Sequence, residues 1–324
     1  MDEKIIIKKY FRPLTNKVDS LNLLDDVSQI NLRNKSKIIT NQDSLVSGTH
    51  FFATDDPRLI AKKALRVNVS DIISKGVIPY GYFLSLSIDK TVDENWIKSF
   101  CDGLSQDQKK YNIKLLGGDT VSSQNGIFIT INMISLSNQP IIKRSTANID
   151  DSIYVSGYIG DSAVGLNLIQ NNSVQENLSE SDKSYLLDGY YLPDPKFKIV
   201  ELLRTFASSS MDTTDGLFHD LKTLSQTSGL HFHINKKNIP HSNAVKKFLK
   251  YTNNYDLTYF GGDDYQTIFT ANKRDHLDIM NHAKKIKVNI TQIGFVGDKS
   301  SKPLLFDENN MRISNNLNTF EHFK

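Results

Sequence analysis

The chain has 324 residues, of which 39% are hydrophobic and 23% charged, and its net charge is +3. That length suits two domains of ordinary size, and a charge so small and so evenly spread argues against a nucleic-acid or membrane-surface partner. The single cysteine, Cys101, excludes an internal disulfide and argues against a thiolate metal cluster.

The N-terminal MDEKIIIKKYF carries acids at its front and an apolar run far too short for a secretory core or a membrane span, so a cytoplasmic protein is expected. Lys4 to Tyr10 could open a short helix, and Lys37 to Thr40 reads as a strand that delivers Asp43 at its exit. Pro57 sits well for a helix start and Gly76 for its stop. On that helix Ile60, Ala64, Val67 and Asp71 share one stripe, with Asn68 beside Asp71. Asp71 could simply cap a break at Ser70. The functional reading is preferred, because an unpaired buried carboxylate is expensive and a metal ion would neutralise it.

Tyr80 to Ile88 alternates as a strand. Asp93 then caps a helix marked by Trp96, Ile97, Phe100 and Leu104, in whose apolar stripe Cys101 reads as a buried, inert thiol. In IKLLGGDTVSSQNGIFITINMI, the apolar run Ile113, Leu115 and Leu116 ends in Gly117-Gly118, and Asp119 follows where the strand is expected to stop. The two glycines remove side chains that would keep another group from the backbone. A further strand alternates through Ile127, Ile129, Ile131 and Met133, and Asn138-Gln139-Pro140 marks a boundary between domains at 1–138 and 139–324.

In the second half Ser152 to Tyr158 reads as a strand, Gly160-Asp161 as a helix start and Asn171 to Lys183 as a polar excursion. Pro195 opens a helix through Phe197, Val200, Leu203 and Phe206. In SMDTTDGLFHDL, Asp212 and Asp215 bracket two threonines before a helix; capping and the helix dipole alone explain an acid there about as well as function does. His231 and His233 point the same way from a strand, a pattern better suited to an exposed face than to zinc.

Acids therefore recur at element ends or on faces where they are out of place: Asp25-Asp26, Asp43, Asp71, Asp119, Asp212, Asp215 and Asp263-Asp264. Two carboxylates would serve a glycosidase. Six or more brought together without His or Cys would repel one another unless cations filled the gaps. Oxygen-only sites suit magnesium or calcium, and magnesium commonly arrives with substrate phosphates. The acids thus point to a polyphosphate, held mainly through metal, because the chain has neither a GxxxxGK[ST] loop nor a protein-kinase signature.

With these residues in hand, the chain resembles the thiamine-monophosphate kinases, a family of the superfamily that includes aminoimidazole ribonucleotide synthetase and selenophosphate synthetase. The likeness spans nearly the whole chain through LLDDVSQI, QDSLVSGTHF, KKALRVNVSDIISKG, LLGGDT, KRS, SIYVSGYIGDSAVGL, MDTTDGLFHDL, GGDDYQTIFT and the terminal FEHF. It implies a two-domain α/β (α+β) protein of the aminoimidazole-ribonucleotide-synthetase-like fold, forming a homodimer through N-terminal domains. The implied reaction is transfer of the terminal phosphoryl group of ATP to thiamine monophosphate, with several Mg2+ ions. The implied metal positions are Asp26, Asn41, Gln42, Asp43, Asp71, Asp119, Asp212 and Asp215, with Asp43, Asp119 and Asp212 at the reacting centre. Gly118, Asp119, Arg144 and Thr214 match ATP positions, and His50, Asp263 and Phe320 match positions near the thiamine substrate. Asp220 and Asp264 lie in the motifs without an assigned role.

Several positions depart from the family pattern. Asn22-Leu23-Leu24-Asp25-Asp26 replaces a glycine-bearing GIGDD, Asn41-Gln42 replaces Ser-Thr, Asp263 stands where Glu is usual, and Phe320 where Tyr or Trp is common. An active enzyme is expected, slower or looser in substrate binding. The alternatives are another ATP-using member of the superfamily, or a magnesium-nucleotide-binding dimer without turnover. Selenophosphate synthetase is disfavoured because Cys101 lies on a helix, and aminoimidazole ribonucleotide synthetase because His50 and FEHF are features of the thiamine enzymes.

Overall fold

The computed structural model describes residues 3–15, 32, 37–171 and 177–313. Asp25-Asp26 with the LLDDVSQI segment, and Phe320 with the terminal FEHF, lie outside the described residues. The chain divides into two units, one of Met1–Ile72 and Val77–Pro140, the other of Ile73–Gly76 and Ile141–Lys324. No helix among the described residues is long and apolar enough to cross a membrane.

In the first unit a short α1 (Glu3–Ile6) precedes β1 (Lys37–Val46), α2 (Pro57–Ser74), β2 (Pro79–Ile88), α3 (Glu94–Tyr111), β3 (Lys114–Ser122) and β4 (Phe128–Ser137). The strands form one sheet in the order β1-β4-β2-β3, with β2 and β3 parallel and the other pairs antiparallel. A parallel pair needs a long crossover, and α3 supplies it. Its start is local chemistry: the Asp93 carboxylate accepts the Trp96 N–H, as a capping aspartate should. The helices cover one sheet face. Gln108 of α3 donates to the Tyr82 hydroxyl of β2 at 3.2 Å, and the Asp43 N–H of β1 donates to Asn68 of α2 at 3.2 Å. Between the helices, Arg66 grips both oxygens of Asp107 at 2.6 and 3.1 Å, and Cys101 is buried.

Two strands run further than their composition suggests. β1 continues through Asp43 to Val46 because β4 pairs with it residue by residue, from Lys37 opposite Ser137 to Val46 opposite Phe128. The ladder overrides the low strand propensity of Asn41-Gln42-Asp43. Asp119 likewise stands inside β3, with Gly118 opposite Leu84 and Asp119 opposite Ser85. A Cβ on Gly118 would collide with the Leu84 carbonyl oxygen, so the group that the glycine admits is the chain's own backbone.

The second unit comprises β5 (Asp151–Ser156), α4 (Asp161–Gln170), α5 (Glu180–Tyr191), α6 (Ile199–Phe206), β6 (Ala207–Asp212), α7 (Leu217–Ser228), β7 (Leu230–Ile234), α8 (Asn243–Thr252), α9 (Tyr255–Phe260), β8 (Thr267–Asn272), α10 (His276–Ile286), β9 (Ile290–Lys299) and β10 (Leu305–Asp307). Its sheet has the order β10-β7-β9-β5-β8-β6 and is antiparallel except between β10 and β7. Ile153, Val155, Met211, Leu221, Phe232, Ile268 and Ile293 build one core, and α4, α5 and α8 share a smaller one around Val164, Leu186 and Phe248. Burying such side chains contributes roughly 25 cal/mol per Å2 of apolar surface. The helix expected from Pro195 starts four residues later, at Ile199, because Pro195 accepts the Phe197 N–H and directs a turn instead. Within the 171–183 excursion, Ser179 and Asp182 form a capping box that starts α5.

Candidate functional site

On β1 the alternation of side chains decides which residues can act together. Asn41, Asp43 and Leu45 face the helices, opposite Met133, Ile131 and Ile129 of β4. Asn41 Nδ2 donates to Asp71 Oδ2 at 2.9 Å and to Asn68 Oδ1 at 3.0 Å. Asn68 is fully buried, and its side-chain amide donates to the Ala64 carbonyl at 3.0 Å. The amide that interrupts the α2 stripe is therefore a bracket, tying β1 to the turn of α2 that carries Asp71. Asn41 Oδ1 is buried and has no hydrogen-bond partner among the described residues.

Gln42 points the other way, and the Asn132 amide approaches its Oε1 at 3.5 Å on the open face of the sheet. Asp119 also belongs to that face, because it stands opposite Ser85, which stands opposite Thr130, which stands opposite Ser44. β1 and β3 are the two edges of the sheet, three strand spacings or roughly 14 Å apart. The fold thus gathers Asn41, Asp43 and Asp71 and places Asp119 and Gln42 apart from them. His50 follows β1 in a turn, where its Nδ1 accepts the Val46 N–H at 3.0 Å and its carbonyl accepts Lys63 Nζ at 3.3 Å. With Nδ1 used as an acceptor, the neutral ring carries its proton on Nε2.

In the second unit two motif loops interlock. Asp212 ends β6 and is buried, and Thr213 to Gly216 lead into α7. The GGDDY loop lies against them: the Asp263 N–H donates to the Thr214 carbonyl at 2.8 Å, and the Tyr265 N–H to the Thr213 carbonyl at 2.8 Å. Gly262 permits this approach, since a Cβ there would collide with the Thr214 carbonyl, and Gly216 (φ 112°) would bring a Cβ to 2.6 Å from the Phe260 carbonyl. Arg144 is exposed on a segment that runs beside β6, held by the Ser210 N–H to the Lys143 carbonyl at 3.3 Å and by Thr146 Oγ1 to the Ser208 carbonyl at 2.6 Å.

Two acids without a role in the sequence reading turn out to shape these loops. Asp220 Oδ2 accepts the N–H groups of Thr214 and Asp215 at 2.9 and 3.2 Å, so it holds the threonine and the acid in place from one helical turn away. Asp264 is buried and accepts the Gly160 N–H at 2.9 Å, which fastens the loop to the start of α4. Burial pushes the carboxyl of Asp220 up to about 6 and that of Asp264 well above the ordinary range.

His219 was also missed, in a site read as poor in histidine. Its Nδ1 lies 3.5 Å from Asp215 Oδ2 and 3.7 Å from Asp220 Oδ1. The neighbouring Asp220 carboxylate, outweighing burial, raises its pKa. The signal was present as a histidine in the first turn of the predicted helix, four residues after Asp215 and next to Asp220. His231 and His233, by contrast, stay among aromatics: His233 stacks on Phe295 at 4.7 Å and on Phe306 at 5.2 Å.

The donors suit a hard cation. Asn41 Oδ1 offers an oxygen with no competing bond beside the Asp71 carboxylate, and Asp43 stands two residues along the same face. Asp215, His219 and Asp220 form a second group whose ligand atoms lie within 4.8 Å of one another.

The family described as AIR synthase related protein, N-terminal domain, matches residues 24–136. The thiamine-monophosphate kinase of Buchnera aphidicola subsp. Acyrthosiphon pisum is 32% identical over 325 residues, covering 98% of this chain and 98% of that protein. The crystal structure of thiamine-monophosphate kinase from Stenotrophomonas maltophilia is similar with a TM-score of 0.82 at 28% identity, covering 92% of this chain and 93% of that one. The structure of AaThiL complexed with AMPPCP and TMP is similar with a TM-score of 0.78 at 28% identity, covering 89% and 88%.

Proposed function

The chain belongs to the thiamine-monophosphate kinase family, and from that membership we propose that it transfers the terminal phosphoryl group of ATP to the phosphate of thiamine monophosphate, giving thiamine diphosphate and ADP. One observation carries the reading at the level of residues. The Thr214 carbonyl, at the position proposed for ATP, accepts the N–H of Asp263, at the position proposed for the thiamine substrate. Two ligands held by loops that share a hydrogen bond are held in one frame, and positioning is most of what phosphoryl transfer asks of a protein.

In the proposed step an oxygen of the thiamine monophosphate phosphate bonds to the γ-phosphorus as the bond from that phosphorus to the β–γ bridging oxygen breaks, and ADP leaves. The attacking phosphate has a second pKa of about 6, so at neutral pH it is already an anionic nucleophile. No side chain has to remove a proton, which fits the carboxylate-rich motifs. The obstacle is repulsion between two polyanions. Magnesium, when bound, supplies the charge neutralisation.

By family resemblance, the residues proposed to hold it are Asp26, Asn41, Asp43, Asp71, Asp119, Asp212 and Asp215, of which Asn41, Asp43 and Asp71 lie together in the first unit. Gln42, whose side chain shares the open sheet face with Asp119 and not the face of Asn41, is proposed with them by the same resemblance. Gly118, Arg144 and Thr214 are proposed to meet ATP, with the planar guanidinium of Arg144 suited to a phosphate. His50, Asp263 and Phe320 are proposed to meet thiamine monophosphate, His50 donating from Nε2.

A homodimer is proposed from the uncovered face of the first sheet. Ile38, Val121 and Phe128 are 53%, 49% and 43% exposed there. Val121 and Phe128 are neighbours across β2 and form an apolar patch that suits a second copy of the same sheet, with Ile38 on the same face at the other end of the ladder. A cytoplasmic location follows from the ATP that the reaction consumes.

The test is an assay of purified protein with ATP, Mg2+ and thiamine monophosphate. Thiamine diphosphate and ADP in equal amounts support the proposal. Nucleotide binding without product would replace it with a non-catalytic nucleotide-binding dimer.

A further inference from the structure

Three successive residues of the GGDDY loop are pinned, and two of them are held in a backbone conformation that L side chains disfavour. Asp263 has φ 69° and Tyr265 has φ 48°. Aspartate tolerates the left-handed region; a tyrosine there is unusual, and glycine or asparagine would adopt it more cheaply. The surroundings enforce it. Asp264, between the two, is bound to the Gly160 N–H, while the N–H groups of Asp263 and Tyr265 reach the carbonyls of Thr214 and Thr213. Tyr265 turns its side chain back along the loop, and its hydroxyl donates to Asp263 Oδ1 at 3.1 Å.

The backbone does not require a phenol at this position, and what the phenol hydroxyl adds is its bond to Asp263. We propose that Tyr265 is a positioning and specificity-determining residue, whose hydroxyl holds one oxygen of Asp263 and aims the other at the amino group of the substrate's pyrimidine. This rests on the reading that thiamine monophosphate is the phosphoryl acceptor and that Asp263 lies beside it. An ionised carboxylate only accepts hydrogen bonds, so it favours an amine and opposes a carbonyl in the same place. A site built to bond a substrate N–H rejects an analogue that lacks it far more strongly than an apolar pocket does. Such discrimination needs a carboxylate that cannot swing away, and one occupied oxygen on a pinned backbone supplies that restraint.

The test compares thiamine monophosphate with its 4′-oxo analogue, in which a carbonyl replaces the amine. Tyr265→Phe keeps the ring and the loop and removes only the hydroxyl. The expected result is a KM for thiamine monophosphate raised about tenfold, with kcat, the KM for ATP and the Tm unchanged, and with the preference for the amine over the oxo analogue narrowed by a similar factor. Asp263→Asn should narrow the preference as well, and adding Tyr265→Phe to it should change nothing further. An unaltered KM for thiamine monophosphate in Tyr265→Phe overturns the proposal. So do equal losses on the two substrates, or a lowered Tm with both KM values raised, which would make Tyr265 a structural strut. A wild-type protein that makes no thiamine diphosphate withdraws both this inference and the reading beneath it, whereas an active wild type with an indifferent Tyr265→Phe withdraws this inference alone.

Discussion

Asn41 donates its side-chain amide to the Asp71 carboxylate at 2.9 Å, and its amide oxygen is buried without a hydrogen bond among the described residues. One side of the group orients an acid, and the other presents an oxygen beside it. A buried acceptor left unpaired costs about 1–3 kcal/mol, which a bound cation would offset.

Removing this amide should therefore weaken metal binding more than it weakens the fold. Asn41→Ala is expected to lower the affinity for Mn2+, used as a spectroscopic substitute for Mg2+, by about tenfold or more. Titration followed by electron paramagnetic resonance reads this directly. Unchanged affinity would remove Asn41 from the proposed metal group.

Asp119 is exposed inside an edge strand and fills no core. Asp119→Asn should then leave circular dichroism and oligomeric state untouched while lowering kcat by roughly 10²-fold or more, if its charge holds a metal that stabilises the transition state. A variant that loses its folded signal would assign Asp119 to structure. One with full activity would remove it from the reacting centre.

The group around α7 makes stability depend on pH in metal-free protein. Burial raises Asp220 to about 6, and the neighbouring Asp220 carboxylate raises His219 above its usual range. Both groups bind protons more tightly when folded than when unfolded. Their contribution is complete at about pH 4 and is lost as pH rises through 6 and beyond the ordinary histidine range. Wild type should lose about 1.4 kcal/mol more than Asp220→Asn between pH 5 and pH 7.5, the roughly one pKa unit between pH 5 and the raised carboxyl, measured by urea unfolding in the presence of a chelator. Parallel curves for the two proteins would show that the carboxyl of Asp220 keeps an ordinary pKa.

The uncovered sheet face predicts a change of assembly. Val121 and Phe128 share that face across β2, since Val121 stands opposite Ser87 and Ser87 opposite Phe128. Val121→Glu combined with Phe128→Lys should turn a dimer into a monomer at micromolar concentration without altering secondary structure, because charges buried in an apolar interface without well-placed partners are costly. Analytical ultracentrifugation decides it. A wild type that sediments as a monomer ends the proposal before the variant is made.

Much of this molecule could be read locally. The Asp93 cap, the Pro57 start, the buried Cys101 and the alternation from Tyr82 to Leu86 depend on residues a few positions apart, and the structure contains them. Strand ends were less legible. Asn41-Gln42-Asp43 and Gly117-Gly118-Asp119 look like turns alone, yet each lies within a strand because a partner ninety or thirty residues away completes its hydrogen bonds. The helix expected at Pro195 starts later for a local reason, since the proline's carbonyl accepts the Phe197 N–H in a turn.

Composition and motif spacing by themselves determined to which family the chain belongs and which acids to propose for its site, because residue types and intervals are properties of the chain before it folds. Only the tertiary structure decided how those acids are distributed. A strand turns successive side chains to opposite faces, so one step along β1 separates Asn41 and Asp43, beside Asp71, from Gln42 on the open face. Register with distant partners likewise put Asp119 on that open face, and long-range bonds made Asp220 and Asp264 the supports of their loops. Those bonds join residues far apart in the chain or buried by its folding, and no local pattern encodes them.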